Sequence, residues 1–187
     1  MKEAFDGYFD KLNEAWLQKT GFRPQVPFVE RLKDTGLYLV DTLNEYDEGY
    51  AAWRPKLQTE KTDFEPIEKK LGLGFEINPQ IKDYISVYWF MGLEGKRKGN
   101  VYYFPAILPV VSAEYYVENF VKHGKSHFDK NQIYIWLGHV CAGADDSFQI
   151  YVNNGDCGVF AVQVLENKSI KVADSIEELI DELEAVL

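Results

Sequence analysis

Phe5, Tyr8, Phe9, Leu12, Trp16 and Leu17 recur at three- and four-residue intervals, which sets them on one stripe of an amphipathic helix, and Gly21 follows as a stop signal. Prolines 24 and 27 make the next stretch a loop. Residues 37–40 and 49–57 read as short strands, the second limited by Pro55, with the acidic loop "NEYDEG" between them. The spacing predicts a helix over 62–72, capped by Thr62 or Asp63, with Phe64, Ile67 and Leu71 on one face and Gly72 at its end. A second short helix is predicted over 78–84, with Asn78 as cap and Pro79 as its first residue.

The middle of the chain reads as a sheet. "ISVYWFMGL" and "VYYFPAILPVV" are long apolar runs separated by the basic glycine loop "EGKRKGN", a hairpin or meander pattern, and their continuity predicts strands covered on both faces. "SAEYYVENFVKHG" is a helix pattern with Ser112 as cap, and "IYIWLGHV" is a strand followed by the loop "CAGADDS". "IYVNNGDCGVFAVQV" reads as a hairpin, and "SIKV" as a last short strand. "DSIEELIDELEAVL" predicts a closing helix, with Ser175 and Glu178 in capping-box register and Ile176, Leu179, Ile180, Leu183 and Leu187 on one stripe. There is no internal repeat or linker. The expectation is an α+β fold, a single domain over 1–187, with a central mixed, mainly antiparallel sheet and helices packed on it.

Composition narrows the function. A chain of 187 residues, 46% hydrophobic and 15% aromatic, buries one substantial core. Twenty basic against 30 acidic residues give a net charge of −10, which argues against nucleic acid as partner and favours a basic one. No apolar run approaches membrane-spanning length, and "MKEAFDGYFDKLNEAW" carries acids where a signal peptide needs an apolar core, so a soluble cytoplasmic protein is expected. Cys141 and Cys157 are the only cysteines, too few for a disulfide framework or a four-cysteine zinc site. Reduced thiols are the default, although a bridge between the two is sterically conceivable across neighbouring strands.

Few motifs suggest chemistry. Cys157 in "NNGDCG" would need a histidine base, for which His123, His127 or His139 would have to serve, and nothing in their spacing supports that; a hairpin loop is the reading. His123 and His127 stand at i and i+4 as metal ligands do, but Gly124 weakens the turn and the glutamate of an H-E-x-x-H motif is absent, so they read as a solvated pair. "GLGFEINP" lacks the rest of a dinucleotide fingerprint. No cofactor, metal or small-molecule substrate is expected. The acids at helix starts complement helix dipoles. Glu45, Asp47, Glu48, Asp145 and Asp146 lie in loops where no dipole explains them, and are the candidate partner-binding residues for Lys/Arg-rich loops. Trp53, or an aromatic of "YWF", is the candidate hydrophobic hot spot.

Taken in order, "AAWRP", "DFEPIEKKLG", "EINPQIKDYISVYWFMG", "PVVSAEYYVENFVKH", "IYIWLG" and "VNNGDCGVFAVQV" resemble the bacterial Syd proteins, the SecY-interacting proteins, over roughly residues 50–187. The likeness rests on a Trp-x-Pro strand, an I-x-P-x-I-x-x-Y step from helix to strand, a Ser-x-Glu helix opening and a V-N-N-x-x-x-G-V hairpin. The chain departs from the pattern at "WFMGLEG" and "FVKHG". The resemblance implies a domain of the wider Syd and toxin-immunity (SUKH) superfamily. It implies a non-enzymatic protein that binds the basic cytosolic loops of the SecY translocon subunit through an acidic surface, sits peripherally on the cytoplasmic face of the inner membrane through that partner, and monitors or regulates translocon assembly. Related members are immunity proteins that neutralise a toxin, commonly a nuclease, and an acidic face fits that role equally.

Overall fold

The apolar stripe at the start of the chain folds as helix α1 (Lys2–Thr20), which buries Ala4, Phe5, Tyr8, Phe9 and Leu12. Gly21 ends it in the left-handed conformation (φ 76°), with its N–H donating to the Leu17 carbonyl. The structure is a computed structural model that describes residues 1–39, 49–124, 132–142, 147–163 and 168–186. Strands β1 (Gln25–Pro27) and β2 (Tyr50–Ala52) pair as a short antiparallel ribbon, and a 3₁₀ helix over Glu30–Thr35 lies between them in sequence. β3 (Lys56–Leu57) pairs instead with β4 (Tyr88–Trp89). Helix α2 (Glu65–Lys70) is shorter than predicted and opens at Phe64 without a side-chain cap, in place of the Thr62 or Asp63 expected, whereas α3 (Pro79–Ser86) follows its sequence signal, capped by Asn78 Oδ1 accepting from the Gln80 N–H.

The fold is α+β. A seven-stranded sheet runs in the order β10 (Lys168–Ala173), β9 (Val159–Gln163), β8 (Ser147–Asn153), β7 (Tyr134–Cys141), β6 (Asn100–Phe104), β5 (Leu93–Arg97), β11 (Glu184–Ala185), and every neighbouring pair is antiparallel. Helix α4 (Ala113–Gly124) is inserted between β6 and β7 and packs on β7. Its last residue passes so close to that strand that a Cβ on Gly124 would meet the Tyr134 carbonyl oxygen at 1.8 Å. The main core fills one face of the sheet, where Phe5 lies 5.4 Å from Phe90 and 5.9 Å from Tyr84 between ring centroids. Alternation along β8 sends Ile150 and Val152 into it and Tyr151 to a smaller cluster with Tyr134 and Val162 on the other face.

Three expectations are corrected. "ISVYWF" is not a strand of the main sheet: Ile85 and Ser86 finish α3, Tyr88 and Trp89 pair with β3, and Phe90 makes an isolated bridge to Ile107. The basic "loop" is strand β5, and the hairpin turn is only Lys98 and Gly99, both at positive φ (50° and 87°), as a type I′ turn requires. Its charges hid an alternation in which Leu93, Gly95 and Arg97 face inward. Arg97 is 5% exposed and is held by Glu182 (2.5 Å), by Glu178 (3.5 Å) and by the Val172 carbonyl, so a cation occupies a position that the pattern reserves for an apolar residue.

The closing helix is the third correction. α5 (Ile176–Asp181) has the predicted cap, with Ser175 Oγ accepting from the Glu178 N–H (3.0 Å) and Glu178 Oε2 accepting from the Asp174 N–H (2.7 Å). It stops after six residues, and the chain then adds β11 to the sheet edge beside β5. Gly95 permits this, because a Cβ there would come within 2.8 Å of Leu183 Cβ. Among the described residues no helix is long and apolar enough to cross a membrane.

Candidate functional site

The hairpin between β8 and β9 places Cys157 one residue before the last loop position, at φ 62°, with its N–H donating to the Asn153 carbonyl (2.9 Å) and the Asn153 N–H donating to the Gly158 carbonyl (2.9 Å). Its side chain is 4% exposed and packs in the main core. Burial, then the nearby Asp156 carboxylate, push the thiol up from its ordinary range, whereas a nucleophile needs the thiolate. The candidate bases are engaged elsewhere: His139 stacks on Tyr103 at 4.7 Å between centroids and His123 lies against Trp136 at 5.7 Å. His127 lies outside the described residues. Cys141 on β7 and Cys157 are both free thiols.

The polar residues of this hairpin serve as a clasp. Asn154 Oδ1 accepts from the Asn78 N–H (2.9 Å), Asn154 Nδ2 donates to the Glu76 carbonyl (2.9 Å) and the Asn154 carbonyl accepts from Asn78 Nδ2 (3.1 Å). The hairpin tip is thereby tied to the start of α3. Asn153 Nδ2 donates to Gln132 Oε1 (3.1 Å), which also accepts from the Tyr134 hydroxyl (2.6 Å).

The candidate acids Glu45, Asp47, Glu48, Asp145 and Asp146 all lie outside the described residues. Trp53 does not protrude. It is 5% exposed, its main-chain N–H donates to the Pro24 carbonyl (3.0 Å), and its ring meets Phe9 edge-on at 6.2 Å. Of "YWF", Tyr88 and Phe90 are buried, and Lys56 Nζ lies 5.5 Å over the half-buried Trp89 ring.

Trp53 nevertheless edges a cleft of about 280 Å³, which opens where α1, the β1–β2 ribbon and the β5–β6 hairpin meet. Tyr8, Leu12 and Trp16 of α1 form one wall, Pro24, Gln25, Val26 and Trp53 a second, and Met91, Leu93, Glu94, Tyr103 and Phe104 the third. Gln25 Nε2 is buried with no hydrogen-bond partner among the described residues, and Glu94 is the one charged residue of the lining among them. Burial first, then the Glu94 carboxylate, raise the Tyr103 phenol. Two other hollows have bonded polar groups in their walls. The one beside Phe64 holds Lys82 against Glu68 (3.0 Å) and Glu76 (3.1 Å), and the one at the hairpin tip is lined by the bonded Asn153 and Asn154.

Sequence reasoning missed this cleft because Gln25 stood in a stretch read as a proline loop and Glu94 in one read as a basic loop. Only the pairing of β5 with β6 and the crossing of α1 bring them to one opening. No protein-family model matches the chain, and no curated protein matches it either.

Proposed function

We propose that this chain is a non-enzymatic binding protein that associates with a basic segment of another protein, and that its partner is the SecY translocon subunit, bound through cytosolic Lys/Arg-rich loops. The carrying observation is the charge of −10, which creates a field that attracts and steers a basic partner. The residue most suited to nucleophilic chemistry, Cys157, is buried, raised and used as the inward prop of a hairpin, which supports a binding role over a catalytic one.

The Syd resemblance supports the same reading at the level of frame. Two stretches that carry it, the Asn78–Pro79 step and the Val152–Asn153–Asn154 hairpin, are tied together by the Asn154–Asn78 bonds. Those residues hold the fold, and choosing a partner falls to the acidic loops with Glu45, Asp47, Glu48, Asp145 and Asp146. On this reading the protein sits at the cytoplasmic face of the inner membrane only while its partner holds it there.

The test is retention of detergent-solubilised SecY-containing translocon on the immobilised protein, beside a panel of purified nuclease toxins. Translocon retained at low salt and released as ionic strength rises supports the proposal. Tight retention of a toxin, with none of the translocon, moves the protein to the immunity role. The variant carrying Glu45→Gln, Asp47→Asn, Glu48→Gln, Asp145→Asn and Asp146→Asn removes five charges at nearly constant size and is expected to weaken retention cumulatively, at about 0.2–1 kcal/mol per exposed charge. Unchanged retention with a flat salt dependence rejects the acidic surface.

A further inference from the structure

We infer that the cleft between α1, the β1–β2 ribbon and the β5–β6 hairpin seats one arginine side chain of the partner's basic segment; this rests on the binding role proposed above and gives it a specific pocket. Size is the first consideration. At about 280 Å³ the cleft falls just below the range of roughly 300–1,000 Å³ typical of sites for drug-sized ligands, so it suits a single long side chain better than a free metabolite.

Charge is the second. Among the described residues Glu94 carries the only charge of the lining, so an anion would meet a carboxylate there, whereas a cation finds its counter-ion. The walls are the third. Trp16 and Tyr103, both half-buried, offer aromatic surface on two sides, with the edge of Trp53 between them, and a planar guanidinium stacks on such rings while its N–H groups reach a carboxylate, a combination that the compact lysine ammonium does not match.

Gln25 supplies the fourth consideration. Its Nε2 is a donor with almost no accessible surface and no acceptor among the described residues, so a small turn of the Gln25 side chain toward the cleft lets it donate to a main-chain carbonyl of an entering peptide, the acceptor that it lacks. Guanidinium, apolar stem and flanking carbonyl therefore each have a counterpart. A purely apolar side chain would make no use of either the Glu94 carboxylate or the Gln25 amide.

The test uses ¹⁵N-labelled full-length protein titrated with N-acetyl-arginine-N′-methylamide, and with the citrulline analogue, which keeps the shape and loses the charge. Expected are shifts of the Trp16 and Trp53 indole N–H and the Gln25 side-chain amide, with the arginine probe bound about fivefold tighter than citrulline. Glu94→Gln should abolish that preference, and Gln25→Leu should weaken both probes alike. No shift at these three groups, or equal binding of the two probes, overturns the inference. Partner retention is scored separately with purified translocon. If Glu94→Gln leaves it intact while the loop-amide variant loses it, the cleft is rejected and the acidic-loop reading stands. If the arginine probe binds the cleft while the wild-type protein retains no basic partner, the cleft stands and the partner reading fails.

Discussion

The Tyr8 hydroxyl donates to the Glu94 carbonyl (2.7 Å) and accepts from the Glu94 N–H (3.2 Å). β11 pairs only with Gly95 and Lys96, and a helix side chain serves the next outward-facing peptide of β5, completing the ladder where the strand runs out. Tyr8→Phe keeps the ring and leaves that donor and acceptor unmatched. Urea unfolding should show a loss of about 1–2 kcal/mol, with the Glu94 amide losing hydrogen-exchange protection before the rest of β5.

Asn154 offers a comparable test on the opposite side of the core. Asn154→Ala removes the acceptor of the Asn78 N–H and the donor to the Glu76 carbonyl, at an expected cost of about 1–3 kcal/mol. Asn154→Asp keeps the acceptor but faces a carboxylate to the Glu76 carbonyl, so it should recover only part of that loss. Chemical denaturation of the three proteins side by side checks the order.

Tyr84 presents the reverse case. Its ring is fully buried against Phe5, Phe90 and Phe120, while its hydroxyl has no hydrogen-bond partner among the described residues. Tyr84→Phe removes an unsatisfied polar atom and should be neutral or stabilising by up to about 1 kcal/mol, read as an unchanged or raised melting temperature. A clear loss of stability would show that the hydroxyl is satisfied after all.

Cys157 combines burial with a left-handed backbone. Native protein should react with a thiol reagent at Cys141 and spare Cys157, which becomes reactive only on unfolding. Cys157→Val places a β-branched residue at φ 62° and should destabilise by more than about 2 kcal/mol, well beyond Cys157→Ala, in denaturant titrations.

Alkaline pH tests the buried phenols together. Burial raises Tyr151 to about 12, above the ordinary value of 10.0, and raises Tyr8 and Tyr84 as well. The unfolded chain then releases protons at lower pH than the folded one, so the stability these groups contribute is complete below about pH 10 and falls as pH rises toward their folded values. Denaturation midpoints should be level up to about pH 9 and drop beyond pH 10, with Tyr8→Phe and Tyr84→Phe flattening the decline.

Much of this architecture is legible along the chain wherever a local rule governs it. The stripe and stop of α1, the Asn78–Pro79 opening of α3, the Ser175 capping box and the hairpin around Asn154 each follow from residues within a few positions of one another. β5 was not legible, because Arg97 is made buriable by Glu178 and Glu182, more than 80 positions away, and no local window contains that compensation. The end of α5 follows equally from a distant glycine: "ELEAVL" has helical propensity, and the free edge beside Gly95 overrides it. The acidic character of the candidate surface was visible at once, whereas the cleft joining Gln25, Trp53 and Glu94 exists only after three elements have crossed.

Helix α1 is fastened at its start and at its middle to residues far along the chain: the Met1 ammonium pairs with Glu177, and Lys11 donates to the Asp181 carbonyl 170 positions away. A ribosome delivers these partners in the wrong order for the helix. Its stripe of Phe5, Tyr8, Phe9 and Leu12 emerges early, meets Trp53, Tyr84, Tyr88 and Phe90 only later, and is not fully covered until α5 and β11 have been made, so closing the core is a late, long-range step. For that interval the nascent chain presents an amphipathic helix whose native cover is incomplete, the kind of segment that a holding chaperone shields.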